Sequence, residues 1–252
     1  MQRDVVLEWL NEQLTPQRFE DYCPNGLQVE GRAQVQRLAT GVTASLALIE
    51  QAVAWGADTV LVHHGLFWRG QSGAITGWLR QRLAPLLAAN VNLLAYHLPL
   101  DAHPVWGNNA QLGQRLGLQP WPGEAGRFGN QGLGWLGHDP HGLTLEELTA
   151  RCARALQRPP VVVGQASQPL QRVAWCTGGA QGYFEAAIAA GAQAFVTGEI
   201  SEPQAHIARE CGVAYLACGH HATERDGARA LGEAMAQQFG LEHAFFDVDN
   251  PA

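Results

Sequence analysis

The stretch ADTVLVHHGLFW, residues 57–68, decides the fold, because an apolar run typical of a buried strand ends in two adjacent histidines. Successive side chains of a strand point to opposite faces, so His63 and His64 converge on one point only if the strand stops there and the chain bends. Gly65 is expected to supply this bend. The run is therefore predicted to be a buried strand whose carboxyl end carries a polar site.

Composition indicates a folded protein. Of the 252 residues, 46% are hydrophobic and 15% are charged, and the length suffices for one large domain or two smaller ones. The formal net charge is -7 and no cluster of Lys or Arg forms a basic stripe, so duplex nucleic acid is not an expected partner. No apolar stretch approaches the length needed to cross a bilayer, so no membrane association is expected.

The five cysteines favour a reducing compartment. Their number is odd and none has Cys-x-x-Cys spacing, which argues against a disulfide framework and against a thiolate zinc site. The N-terminal stretch MQRDVVLEWLNEQL is typical of an amphipathic helix from about Val5 to Leu14, capped by Asp4, and not of a signal peptide. We therefore expect a cytoplasmic protein.

A segment rich in Gly and Pro, residues 119–132, divides the chain. We predict a first α/β repeat over residues 1–125 and a second over residues 126–252, with strands alternating with helices in each. In the second half, Thr144 and Glu147 form the capping-box pattern that begins a helix. The expected fold class is α/β.

The two halves resemble each other around the opening stretch. GVTASLALIEQAVAWGADTVLVHHG (41–65) and CTGGAQGYFEAAIAAGAQAFVTGEI (176–200) both run from a strand end through a helix and a Gly stop into another strand. When they are aligned at Gly56 and Gly191, His63 falls opposite Gly198, and His64 opposite Glu199. Each half thus places a metal ligand or a proton carrier at the same strand end.

The next strand of each half also ends in polar residues. Both halves carry a histidine followed four residues later by a carboxylate: His97 with Asp101 in VNLLAYHLPLD (91–101), and His220 with Glu224 in VAYLACGHHATE (213–224). Because ligands gather at the carboxyl ends of strands in such sheets, we predict one shared site between the halves.

Imidazoles and carboxylates without thiolates suit first-row divalent ions such as Fe, Mn, Zn, Co or Ni, and do not select one of them. The expected ligands are three imidazoles and two carboxylates: His63, His64, His220, Asp101 and Glu224. These are too many for a closed structural zinc site and suit two ions bridged by a carboxylate and a water. Two divalent metal ions per chain are the predicted cofactors.

The spacing of His220 and Glu224 fits one helical face. Thr223, however, fits an N-cap, so we expect His220 in a loop and Glu224 in the first helical turn. His221 is expected to point away from His220 and to pack or form a hydrogen bond.

Two further residues are candidates for catalysis. His97 either transfers a proton near a bound water, or orients Asp101 or another metal ligand without binding the metal itself. Glu199 either carries a proton or is a solvated acid at a strand end.

The glycine-rich motifs point to no nucleotide-binding fingerprint. TGGAQG (177–182) follows a strand and precedes a helix, so its N–H groups either hold a phosphate or belong to a tight turn. GLGWLG (132–137) matches Gly-x-Gly-x-x-Gly but does not open a helix after a strand. The chain also lacks a nucleophile elbow and a His-Glu-x-x-His motif, which disfavours a serine hydrolase and a zincin.

Motifs over nearly the whole chain resemble the Nif-three-like family, whose members are identified as GTP cyclohydrolase I type 2 homologues. They are NGLQVEG (25–31), GVTAS (41–45), HHG (63–65), HLPLDAHPVWGNNAQL (97–112), TGG (177–179), TGE (197–199) and GHHATER (219–225). The resemblance is to the short bacterial form. It implies two intertwined, duplicated α/β repeats with mixed sheets and helices on the outside, a toroidal homohexamer, and a two-metal site. The family's metal ligands fall on the five residues named above.

The leading hypothesis is a dinuclear-metal-dependent hydrolase acting on a nucleotide-like or other small anionic substrate, in which His97 or Glu199 moves the proton. The alternative is a non-catalytic protein that binds or delivers metal, or that serves as a scaffold. Turnover of a substrate would favour the hydrolase, whereas ready release of metal to a chelator without turnover would favour the non-catalytic protein.

Overall fold

The computed structural model describes residues 1–252 throughout. Its helices are α1 (Arg3–Leu14), α2 (Leu46–Trp55), α3 (Gly77–Ala89), α4 (Leu98–Ala102), α5 (Asn108–Leu116), α6 (Leu145–Leu156), α7 (Phe184–Ala189), α8 (Glu202–Cys211) and α9 (His220–Phe239). Its strands are β1 (Gly26–Val29), β2 (Arg37–Thr43), β3 (Thr59–His64), β4 (Asn92–Ala95), β5 (Gln119–Pro120), β6 (Arg127–Phe128), β7 (Gly134–His138), β8 (Leu143–Thr144), β9 (Val161–Val163), β10 (Pro169–Leu170), β11 (Val173–Trp175), β12 (Ala194–Thr197), β13 (Ala214–Ala217) and β14 (Glu242–Phe245). None of the helices combines the length and apolar content needed to span a membrane.

The chain folds into two compact units. The first comprises Met1–Gly107 and Arg225–Asp249, and the second comprises Asn108–Glu224 and Asn250–Ala252. The chain therefore leaves the first unit and returns to it near the end. Both units combine helices with a sheet, so the predicted α/β fold class with mixed sheets is confirmed.

The sheet of the first unit has the strand order β1-β4-β3-β2-β14. Strands β14, β2, β3 and β4 are parallel, and β1 pairs antiparallel with β4. Side chains of α2 and α3 pack on one face of this sheet, and side chains of α1 and α9 on the other. In β3, Val60 and Val62 point to the face covered by α2 and α3, and Leu61 points to the face covered by α1 and α9. Because both faces are buried, the strand is apolar throughout before the histidines.

The main sheet of the second unit repeats this pattern in part. Its strand order is β5-β7-β11-β12-β13-β9, and β6 also pairs with β7. Strands β11, β12 and β13 are parallel, and β9 pairs antiparallel with β13. Both units thus contain a block of parallel strands with an antiparallel neighbour, four parallel strands in the first unit and three in the second. Helix α6 begins with the predicted capping box, because the Thr144 hydroxyl accepts from the Glu147 N–H and the Glu147 carboxylate accepts from the Thr144 N–H.

The compact units differ from the halves predicted at residues 125 and 126. Helix α5 belongs to the second unit, since Leu112 and Leu116 lie in the same apolar core as Leu148 of α6. Strand β14 belongs to the first unit, since it pairs in parallel with β2. The sequence repeat over 1–125 and 126–252 stays a prediction.

One predicted detail of the backbone is wrong. Gln2 is the N-cap of α1, and Asp4 lies within the first turn. Strand β3 ends at His64 and the chain bends at Leu66, directly after Gly65, although Gly65 itself does not adopt the left-handed conformation that favours glycine. A Cβ at Gly65 would lie 2.3 Å from the Gln28 side chain, so a larger residue would displace this side chain, whose amide oxygen accepts the Leu66 N–H.

Candidate metal centre

The two adjacent histidines lie at the carboxyl end of β3. His63 is fully buried, and its Nδ1 donates to the carbonyl of Tyr96 at 3.1 Å. The Nδ1 of His64 lies 3.1 Å from the hydroxyl of Thr43, the last residue of β2. Because a carbonyl only accepts, Nδ1 of His63 carries the hydrogen, and in the neutral ring Nε2 keeps the lone pair that binds a metal.

Asp101 lies on α4, the short helix that follows β4. Its carboxylate is buried, and one oxygen lies 3.5 Å from Nε2 of His63. A carboxylate buried in this way is costly unless positive charge or hydrogen bonds compensate it. The first unit therefore brings three of the five predicted ligands, His63, His64 and Asp101, to the ends of neighbouring parallel strands.

His97 belongs to the same cluster. Its ring centroid lies 5.0 Å from that of His63 and 5.7 Å from that of His64, and the three rings offer nitrogens within 4.8 Å of one another. Its Nδ1 donates to the carboxylate of Asp21 at 2.8 Å. Sequence reasoning missed Asp21, because no spacing rule connects it with a histidine 76 positions further along the chain.

The second unit holds the other two predicted ligands on α9. This helix begins at His220, so the expectation that Thr223 caps it and leaves His220 in a loop is wrong. The Thr223 hydroxyl instead donates to the Gly219 carbonyl four residues earlier and accepts the N–H of Gly178. His220 and Glu224 consequently occupy one helical face, with Nε2 of His220 3.3 Å from a carboxylate oxygen of Glu224.

Glu199 holds the other side of the His220 ring. Its carboxylate accepts from Nδ1 of His220 at 2.6 Å and from the Gln181 amide at 3.1 Å. Burial by itself would lower the pKa of His220, but Glu224 and then Glu199 outweigh it and raise that pKa to about 9. The two carboxylates therefore favour positive charge at this position.

The TGG segment forms a tight turn against Glu224 and His220, two of the predicted ligands. Gly178 has a φ of +70°, and a Cβ there would lie 2.0 Å from a carboxylate oxygen of Glu224. The N–H of Thr177 donates to the Asn109 side chain, and that of Gly178 to the Thr223 hydroxyl, both at 3.0 Å. Of the two interpretations of TGGAQG, the structure favours the turn, because these two donors are already used within the protein.

The donor set fits a divalent first-row ion. In His63 and His220 a protein acceptor holds Nδ1 while Nε2 faces a carboxylate, which is the arrangement that orients imidazole ligands in metal sites. His221 is buried, and its backbone N–H donates to the carbonyl of Ala252.

The fold and the cluster of polar side chains define a class of protein. It is the class of mixed α/β proteins that carry histidines and carboxylates at the ends of parallel strands. Within this class, residues 1–251 match the Duf34/NIF3 (NGG1p interacting factor 3) family, and the chain belongs to that family. The resemblance found in the sequence is thereby confirmed.

Similar proteins span the chain. A protein of Neisseria meningitidis serogroup A, named GTP cyclohydrolase 1 type 2 homolog, is 51% identical, with 100% of this chain and 99% of the relative covered. One of the same name from Escherichia coli K12 is 46% identical, with both chains fully covered. The solved structure of protein ybgI, described as of unknown function, superposes with a TM-score of 0.95 at 46% identity over 100% of both chains. TTHA1606 from Thermus thermophilus superposes with a TM-score of 0.89 at 32% identity, also over 100% of both chains.

Proposed function

We propose that the chain is a dinuclear-metal-dependent hydrolase whose ligands for two divalent ions are His63, His64, Asp101, His220 and Glu224. The observation that carries this proposal is the pairing of imidazole and buried carboxylate at strand ends in both units, His63 with Asp101 and His220 with Glu224. Two donors from the second unit are fewer than the four to six that these ions take, so further ligands are needed. His63, His64 and Asp101 would supply them.

The metal ions, His97 and Glu199 would have different roles in hydrolysis. Two bound ions would lower the pKa of a shared water, so that hydroxide becomes available at neutral pH. His97, held beside the histidine pair, would accept the proton. Glu199 would act mainly by orienting His220, since its closest contact is the 2.6 Å hydrogen bond to Nδ1 of that ring.

The substrate is proposed to be nucleotide-like or another small anion. The support is the name of the relatives, homologues of GTP cyclohydrolase 1 type 2, together with the attraction of paired cations for anionic groups. The structure does not strengthen the further idea that the TGG turn holds a phosphate, because the N–H groups of Thr177 and Gly178 have protein acceptors.

We also propose that the protein assembles as a toroidal homohexamer in the cytoplasm. Ile75, Trp78 and Leu87, in and just before α3, leave about half or more of their surface exposed, which suits an interface between copies. Sedimentation velocity on the purified protein tests the assembly. A single species of hexamer mass is expected, and a stable monomer would contradict this part of the proposal.

The activity is tested by screening protein carrying its native metal against nucleotides, cyclic nucleotides and phosphate esters. We expect hydrolysis of at least one class, lost on chelation and restored by the metal. The double variant Asp101→Ala with Glu224→Ala should lose it, whereas Glu233→Ala, which removes an exposed carboxylate of α9, should keep it. Absence of turnover, together with ready transfer of metal to a chelator, would instead support a metal-delivery or scaffold protein.

A further inference from the structure

We propose that Asp21 is a positioning residue that fixes the ring and the tautomer of His97, so that Nε2 of His97 is the proton-accepting atom facing the His63–His64 pair. This inference rests on the proposed function in assigning a proton-transfer role to His97. The geometry that carries it lies entirely within the first unit.

Asp21 is built into its place. Its side chain is 4% exposed. One carboxylate oxygen accepts from Nδ1 of His97 at 2.8 Å and from the Tyr22 N–H at 2.7 Å. The other oxygen accepts from the Asn25 amide and from the Leu98 N–H, both at 3.0 Å. A buried carboxylate with several donors on both oxygens is rigid, so the imidazole it holds is rigid as well.

The carboxylate stays ionised. Burial would raise the pKa of Asp21, but the hydrogen bond and charge of His97, with the Asn25 and Leu98 donors, lower it to about 2. An ionised carboxylate only accepts hydrogen bonds, so Nδ1 of His97 must carry a hydrogen. In the neutral ring the lone pair is then on Nε2. This is the way in which a buried aspartate fixes the tautomer of a catalytic histidine in hydrolases.

The ring is held from other directions too. The Asn25 side chain accepts the backbone N–H of His97 at 2.8 Å. The indole of Trp68 meets the imidazole edge to face, with ring centroids 5.1 Å apart and an interplanar angle of 83°. With Nδ1 anchored on Asp21, the opposite edge of the ring is the one that remains for the cluster of His63 and His64.

Asp21, Cys23 and His97 also lie close enough to suggest a second metal site. Two observations argue against it. Asp21 already accepts four hydrogen bonds at 3.0 Å or less. Burial, and then the charges of Asp21 and Asp101, raise the pKa of the Cys23 thiol to about 12, so the thiol is protonated at neutral pH. We therefore interpret Asp21 as a hydrogen-bond partner that positions His97, and not as a metal ligand.

The experiment measures the tautomer directly. Full-length protein loaded with Zn²⁺ and labelled with ¹⁵N-histidine is sedimented and studied by magic-angle-spinning NMR at pH 8, and the His97 signals are identified by their loss in His97→Gln. We expect a protonated Nδ1 and an unprotonated Nε2. In Asp21→Ala the population should shift toward a protonated Nε2, and Asp21→Asn, whose amide NH2 can donate to Nδ1 of His97, should shift it in the same direction.

Asn25→Ala is the matched control, because it removes bonds to Asp21 and to the His97 backbone but leaves the carboxylate on the ring. It should retain the wild-type tautomer. A wild-type signal with hydrogen on Nε2, or an Asp21→Ala spectrum unchanged from wild type while circular dichroism shows a folded chain, would overturn the inference. Because the readout needs no substrate, absence of hydrolysis would count against the proposed function only.

Discussion

At the scale of one residue, Gly178 shows why a glycine lies beside the candidate ligand Glu224. A Cβ at this position would overlap the Glu224 carboxylate, and the φ of +70° disfavours any other residue. Gly178→Ala should lower the free energy of unfolding by about 2 kcal/mol and reduce the bound metal. Urea denaturation and elemental analysis measure these effects. Gly182→Ala, with nothing within 4 Å of its Cβ, is the control and should change stability by about 0.5 kcal/mol or less.

Asp21 also makes stability depend on acid. Its folded-state pKa, about 2, lies below the ordinary value of 3.8, so its contribution is complete above about pH 4 and is lost as the pH falls through 4 toward 2. The wild type should lose up to about 2 kcal/mol through this group over that range. Asp21→Asn should lack this loss, as measured by urea denaturation at pH 6 and pH 3.

The control for this loss of stability in acid is Asp4→Asn, which removes a carboxylate that is 83% exposed. Between pH 6 and pH 3 this variant should lose the same unfolding free energy as the wild type. If Asp21→Asn and the wild type lose the same amount of stability between the two pH values, the buried carboxylate–imidazole pair does not exist in solution as described.

At the scale of elements, local sequence predicts helix ends only when the capping partners are local. Thr144 and Glu147 are three residues apart, and their capping box forms as predicted. Thr223 looks like a cap but lies inside α9, because its hydroxyl bonds to Gly178, which is 45 positions away in sequence. The helix begins at His220 and places this candidate ligand on the same face as Glu224.

The two threonines at helix starts give a matched pair for testing the caps. The Thr144 hydroxyl accepts the Glu147 N–H, whereas Thr76, the N-cap of α3, makes no such bond. Thr144→Ala should cost about 1 kcal/mol of unfolding free energy, and Thr76→Ala clearly less. Equal losses in thermal or urea unfolding would show that the capping box contributes nothing specific.

At the scale of the whole molecule, the candidate metal ligands were predictable because they follow buried strands that are recognisable by their apolar runs. His63, Asp101, His220 and Glu224 all lie just at or beyond such strand ends. The division of the chain was not predictable in the same way. Strand β14 pairs with β2 across some 200 residues, and no local pattern near residue 242 indicates that partner.

The central claim is the proposal that His63, His64, Asp101, His220 and Glu224 bind two metal ions, and metal content measures it most directly. After loading with Mn²⁺ and removal of excess metal, the wild type should hold about two ions per chain. Asp101→Ala in the first unit and Glu224→Ala in the second should each weaken binding of both ions, and the double variant should hold none. Glu233→Ala should match the wild type. Stoichiometric metal in the double variant, or loss of one ion with the other bound at wild-type affinity in each single variant, would contradict the proposed dinuclear centre.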